Sequence, residues 1–391
     1  MSGSPSLRLV DRQVVATLDR HGELPRDQLT RLSGLSRSTV TDAVARLRRQ
    51  GIVTERAMPS AGGRLGRPPR MLALAPSAGL AGVIALTHQT LQAGVLGFDG
   101  TLHARQIVEN YAQGHPAGMI QQGLALLTGA LREASRTSDD LTCAVIGVPR
   151  SVSDTGGQPL LTPLAAPWIP ADPAAELSRS LDVPVWMEND ANLGALGEGA
   201  FGAAADMTSF IYIKVAHGIG AGLVLDRRLH RGANGLAGEL AHIHVQDDGS
   251  LCCCGGRGCL MTAFSTPRLI DWIRTVHPDV SSMADVLSLA TDRDAGVWRL
   301  LRDLGRTIGR SLADLCVYVA PDGLVLDGIL QSAGAPVIDG IREALDQFAP
   351  PAIASQVRLA GGLLGDRAEL LGAAVLARRH ALRGPNHSDP I

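Results

Sequence analysis

Aromatic side chains are scarce in this 391-residue chain, at 3% of its residues, and lysine is nearly missing, with Lys214 alone against 35 arginines. The first scarcity leaves the interior to aliphatic and alanine packing. The second reflects an arginine-biased composition, and no function is attached to Lys214. No run of about 18 uncharged apolar residues occurs, so a membrane span has no support. Met1 to Pro25 lacks the basic-then-apolar pattern of an export leader, and the expected setting is the cytoplasm. Disulfides are not expected there. Four of the six cysteines crowd between Cys252 and Cys259, which argues for metal ligation instead, while Cys143 and Cys316 lie in apolar stretches and read as core.

The net charge of −2 hides an asymmetry. Residues 1–70 hold 13 arginines against 6 acidic residues, whereas the remainder is acidic. The front is therefore the candidate for nucleic acid. Val10, Val14 and Leu18 recur at helical spacing, Pro25 precedes a second short helix with Leu29 and Leu32, and Gly34 breaks it. Ser36 can then cap a third helix whose buried stripe is Val40, Ala43, Val44 and Leu47. Arg37, Ser38, Thr39, Thr41 and Arg46 lie off that stripe, and short polar residues at the start of such a helix suit base edges in a major groove. Arg48 and Arg49 suit phosphates. A three-helix scaffold with a solvated basic face would show much the same pattern. The next residues favour DNA: strand-like Ile52-Val53, then Ala61 to Arg70, then apolar Met71 to Ala75, together resembling a wing hairpin. Arg64 and Arg67 would sit at its tip, with Gly66-Arg67-Pro68 suited to a narrow minor groove.

Length predicts more than one domain, with a DNA-binding unit over 1–75 and a second unit over 76–391. From residue 81 apolar strand-like runs alternate with helical patterns. Strands are expected at 81–85, 93–98, 143–148, 183–186, 210–215, 222–225 and 324–326, and helices at 120–135, 297–319 and 368–381. That alternation implies an α/β fold.

The stretch Val185-Trp-Met-Glu-Asn-Asp-Ala-Asn, followed by Gly218-Ile-Gly-Ala-Gly, Ala237-Gly-Glu-Leu-Ala-His and the cysteine cluster, resembles the ROK family of repressors, open reading frames and kinases. The resemblance covers essentially the whole chain. It implies a winged helix-turn-helix followed by an α/β domain of two actin-like, ribonuclease-H-like lobes with a sugar site in the cleft. His242, Cys252, Cys254 and Cys259 match the family's zinc ligands, within a loop over 238–260. Three thiolates and one imidazole satisfy tetrahedral Zn(2+) with no position open for a reactive water, so the site is structural. Cys253 should turn away from the metal. Asn189 and Asp190 match the family's sugar-binding residue and general base, Glu239 matches a sugar-binding carboxylate, and His242 is expected to aim its second ring nitrogen at the sugar. A plain strand-end cap is the alternative for the Asn-Asp pair.

The kinase machinery is incomplete. Ile84 and Leu86 stand where an Asp-x-Gly-Gly-Thr motif would organise magnesium and phosphate. Ala216 and His217 alter the second phosphate motif, Met261 replaces a sugar-binding Glu, and Ala241 replaces a Gly. The expected function is a non-enzymatic transcriptional regulator, a repressor of carbohydrate genes, whose binding to double-stranded operator DNA responds to a sugar or sugar derivative. A homodimer or homotetramer is expected, because paired half-sites mirror protein symmetry. A regulator answering to a non-sugar or protein signal, and a residual ATP-dependent sugar kinase, are the alternatives.

Overall fold

The structure is a computed structural model that describes residues 8–57, 70–75, 79–87, 90–109, 118–152, 172–216, 218–264 and 266–383. The chain opens with α1 (Leu9–His21), the short strand β1 (Leu24–Pro25), α2 (Arg26–Ser33) and α3 (Arg37–Arg49). Gly34 ends α2 in a left-handed conformation, and Ser36 starts α3 by accepting the Thr39 backbone N–H at 3.1 Å. These two residues make the tight turn between the helices. α3 buries the expected Val40, Ala43, Val44 and Leu47, packed in one core with Val14, Val15 and Leu18 of α1. β2 (Val53–Ala57) and β3 (Arg70–Leu74) pair antiparallel, with β1 on the other edge of β3. This is a winged helix-turn-helix. The tip of its wing, with Arg64 and Arg67, lies outside the described residues.

The α/β part begins with β4 (Leu80–Leu86), β5 (Thr90–Gly97), β6 (Leu102–Glu109), α4 (Met119–Glu133) and β7 (Cys143–Val148). α5 (Pro173–Leu181), β8 (Val185–Asn189) and α6 (Asp190–Phe201) come next. They lead to β9 (Phe210–Val215), β10 (Ile219–Leu225), β11 (Arg228–His230), α7 (Leu260–Ala263), α8 (Thr266–Arg274) and α9 (Met283–Thr291). The chain continues through α10 (Ala295–Val319), β12 (Gly323–Gly328), α11 (Ile329–Ser332) and α12 (Ala335–Phe348). It closes with α13 (Pro351–Ala354), β13 (Arg358–Gly361) and α14 (Ala368–Arg383).

Two five-stranded sheets result, ordered β6-β5-β4-β7-β8 and β11-β10-β9-β12-β13. Their topology is the same: an antiparallel meander of three strands, then two strands added in parallel beside the first. The repeat gives the two-lobed actin-like architecture that the resemblance implies. β7 is buried at all six positions, as expected of a strand covered on both faces.

Between the sheets lie α6 and α14. Val83 and Val145 from the first sheet and Phe210, Tyr212 and Val325 from the second meet these two helices in one core. The helices cross at glycines because nothing larger fits. A Cβ on Gly197 would collide with the Ala368 carbonyl, and one on Gly372 with that of Leu193. α4 and α5 cover the outer face of the first sheet, and α10 and α12 that of the second. Leu382, in the last turn of α14, is buried in the winged-helix core rather than in the α/β part. No described helix is long and apolar enough to cross a membrane.

Candidate functional site

On α3, Arg37, Ser38 and Thr41 are exposed and Thr39 is half-buried. The hydroxyls of Ser38 and Thr39 lie 2.9 and 2.7 Å from that of Ser36, and Thr41 donates to the Arg37 carbonyl at 2.8 Å. Arg49 is exposed at the other end of the helix. Arg46, expected to face DNA, also has a partner within the protein. Its Nη2 lies 2.7 Å and its Nε 3.3 Å from the carboxylate of Asp11 on α1, which is itself 2% exposed, so Arg46 ties α3 to α1. A buried carboxylate requires such a partner. Arg48 donates to Glu55 at 2.7 Å, a carboxylate that also draws Arg70 at 3.5 Å and Arg26 at 3.6 Å. The three arginines around one carboxylate leave a net positive cluster beside the wing strands.

The second site begins at the C-terminal edge of the first sheet. In the register of β7 and β8, Val148 is opposite Asn189. Asn189 caps α6, its side-chain oxygen accepting the Asn192 N–H at 3.1 Å, so the plain cap is present. Asp190 opens α6, with one carboxylate oxygen 2.9 Å from the Ala191 N–H. Three residues beyond Val148, the Ser151 hydroxyl donates to Glu239. Glu239 reaches this edge because Gly238, at φ 89°, presses its backbone against β10, where a Cβ would strike the Ala221 carbonyl.

His242 stands one turn beyond Glu239. Its Nδ1 faces Cys252 Sγ at 3.4 Å, and its Nε2 lies 3.7 Å from Glu239 Oε2. Cys254 Sγ and Cys259 Sγ are 3.6 Å apart, and the four candidate ligand atoms all lie within 4.8 Å of one another. This group can hold a metal ion. The Gly256 N–H lowers the pKa of Cys254, while burial, with help from Cys254, pushes the Cys259 thiol up to about 12. A cation reverses that second effect by stabilising thiolates. Cys253 is exposed and outside the group, as expected, but through a turn closed by the Gly255 N–H on the Cys252 carbonyl rather than through extended alternation.

Lys214, to which composition attached no function, joins β9 to the first turns of α6 and α14. From β9 its ammonium bonds Glu369, in the first turn of α14, and lies 3.4 Å from Asp190. Burial alone would lower its pKa, but Glu369 and Asp190 outweigh burial and hold it above the ordinary lysine value. Two residues earlier on the same strand, the Tyr212 hydroxyl donates to Asp327 at 2.5 Å. A lone lysine in the apolar strand Phe210-Ile-Tyr-Ile-Lys-Val was the available signal, since a buried ammonium implies a counter-charge elsewhere in the chain.

The expected phosphate positions are filled differently. Ile84 is core, packed with α4 at Gly123. The Ala216 carbonyl accepts from the Thr266 hydroxyl, and Met261 Sδ lies near Gly218; His217 is outside the described residues.

Lys214→Met tests the ionic cluster. It leaves Glu369 buried without its cation, one of its oxygens being partnerless already. Burial then raises the Glu369 pKa further above its unfolded value. Its share of stability is present below the unfolded glutamate value, about 4.3, and is lost as pH rises through the raised one. The gap from wild type in urea unfolding should widen from pH 5 to 8 and reach roughly 3 kcal/mol. A pH-independent gap would contradict the assignment.

The ROK family model matches residues 84–380, and a winged helix-turn-helix DNA-binding model matches residues 7–54. The chain is 26% identical over 364 residues to the xylose repressor of Bacillus spizizenii, covering 93% of each protein. It is 31% identical over 228 residues to the glucokinase of Streptomyces coelicolor, covering 52% of this chain and 70% of that one. A solved ROK family transcriptional regulator, a homolog of the E. coli MLC protein, shares the fold with a TM-score of 0.78 over 95% of this chain and 96% of its own, at 22% identity. The ROK family glucokinase from Streptomyces griseus, in complex with glucose and AMPPNP, gives a TM-score of 0.68 at 26% identity, over 77% of this chain and 100% of that one. With the cleft motifs in order along two repeated sheets and the family model spanning most of its length, the chain belongs to the ROK family.

Proposed function

We propose that this protein is a DNA-binding transcriptional repressor of carbohydrate genes whose cleft senses a sugar and does not phosphorylate it. The observation that carries this is the pairing of Asp190 with Lys214. A general base must be free to take a proton from the attacking hydroxyl. Here the carboxylate faces an ammonium that Glu369 also holds, and the strand position that would serve magnesium is a buried isoleucine. Phosphoryl transfer depends on positioning and charge stabilisation, which such a cleft lacks. Asn189, Asp190, Glu239 and the Nε2 of His242 supply the donors and acceptors for sugar hydroxyls. Residues 1–75 bind operator DNA through Arg37, Ser38, Thr39, Thr41, Arg46, Arg48 and Arg49, together with Arg64 and Arg67, which lie outside the described residues. Residues 76–391 sense. The working form is a homodimer or homotetramer in the cytoplasm, where operator DNA lies.

The metal is zinc. Tetrahedral geometry with Zn–S of about 2.3 Å and Zn–N of about 2.0 Å sets edges of roughly 3.7 Å between sulfurs and 3.5 Å between sulfur and nitrogen. The observed 3.6 and 3.4 Å match these edges. His242 would bind through Nδ1, which leaves Nε2 on the side of Glu239 for the sugar. With His242, Cys252, Cys254 and Cys259 all holding it, a zinc ion would supply folding energy to the 238–260 loop rather than a position for chemistry.

Metal analysis of the purified protein should give about one zinc per chain, and Cys259→Ser should lower both the zinc content and the thermal midpoint. Zinc-free, fully stable wild-type protein would remove the assignment. For the cleft, a thermal-shift screen of neutral sugars should find one that raises the midpoint, with xylose first in the panel because the Bacillus relative is a xylose repressor. Asp190→Asn and Glu239→Gln should each abolish that shift. A shift unchanged in both variants would move the effector out of the cleft. The absence of ATP turnover with the same panel is expected as well.

A further inference from the structure

α14 has two ends in different parts of the molecule. At its first turn, Glu369 bonds Lys214, the ammonium that also faces Asp190 at the start of α6. At its last turn, Leu382 is 7% exposed and sits in the same core as Val14, Leu18 and Val44 of the DNA-binding helices. The whole helix, 16 residues, is a rod about 24 Å long. Two further contacts fix the rod to the cleft-bearing lobe. His380 stacks on Trp186 of β8, ring centroids 4.3 Å apart and planes within 9°, and β8 is the strand that ends in Asn189. α6 is locked to α14 by the glycine contacts at Gly197 and Gly372, which admit no lateral adjustment at the crossing. Close-packed elements of this kind move as bodies rather than deform.

We infer that α14 is the transmitter between cleft and DNA-binding helices, with Glu369 as its sensing end and Leu382 as its output end. Lys214 on the second sheet holds both Asp190 and Glu369 on the helices between the sheets. A hydroxyl that engages Asp190 competes with Lys214 for that carboxylate and shifts the balance of the ammonium toward Glu369. The pair α6–α14 then re-seats against β9, and Leu382 carries the displacement into the packing of α1 and α3. The sugar half of this sequence rests on the cleft as effector site. The rod itself does not, and it can be tested with no sugar present.

The experiment is a double-mutant cycle on the full chain, read by binding to a DNA duplex that wild-type protein has enriched from a random library. Glu369→Gln perturbs the sensing end and Leu382→Ala disconnects the output end. Glu369→Gln should change the duplex affinity by about fivefold or more in the chain that keeps Leu382, and by less than about twofold in Leu382→Ala. Equal effects in both backgrounds, or none in either, would overturn the inference. If Leu382→Ala binds DNA too weakly to measure, hydrogen exchange of the α1 segment gives the same cycle without DNA. Glu369→Gln should raise α1 exchange when Leu382 is present and leave it unaltered when Leu382 is absent. α1 exchange that ignores Glu369→Gln in the wild-type background overturns the rod. Because no sugar enters, failure of the sugar screen leaves this result standing, and failure here leaves the sugar site standing.

Discussion

A single buried ammonium organises this molecule. Lys214 sits between two carboxylates, Asp190 and Glu369, at the junction of the second sheet with the two helices that separate the sheets. Burying Lys214 with Glu369 is tolerable because each offsets the other's charge, and Asp190, on the more exposed side, completes the ammonium's surroundings, so the positions of the three are tied together. The consequence for chemistry is direct. In a phosphotransferase the cleft must bring a metal-bound triphosphate to a carboxylate that can accept a proton. Here a protein cation faces that carboxylate, and β4 of the first sheet carries the buried Ile84 where charge would be needed. On the proposed reading, the same cluster that works against phosphoryl transfer leaves hydrogen-bonding groups for a sugar in place.

The metal loop and the DNA-binding helices are connected to this centre by different means. Glu239 reaches both Ser151, beyond the end of β7, and the far nitrogen of His242, so a ligand that engages Glu239 also touches the orientation of a candidate metal ligand. The DNA-binding helices are reached through α14. Arg46, by bonding buried Asp11, holds α3 on α1 and so fixes the helix that carries the exposed Arg37, Ser38 and Thr41.

Much of this was legible in the sequence where one local rule acts alone. The Gly34–Ser36 turn, the buried stripe of α3, the strands at 143–148 and 210–215, and the cysteine group all follow from spacing and residue type. The edge strands β6, β11 and β13 were not legible, because an edge strand such as Leu102–Glu109 mixes polar and apolar residues and loses the apolar run that marks a central one. α6 escaped for the opposite reason. Its glycines lower helix propensity, and only contact with α14 shows why they are required. The ion pairs of Arg46 and Lys214 were not legible because a charged residue shows its role through its partner, and the partners Asp11 and Glu369 lie 35 and 155 residues away.

If the cleft and the DNA surface are two ends of one equilibrium, the effect between them must be reciprocal. The direct measurement is calorimetric titration of the sugar found by thermal shift into the free protein and into the protein saturated with its DNA duplex. Sugar affinity should fall on DNA by the same factor by which the sugar weakens DNA binding, a factor expected between about 5 and 150. Equal sugar affinity in the free and DNA-bound protein would contradict the claim that this cleft controls DNA binding.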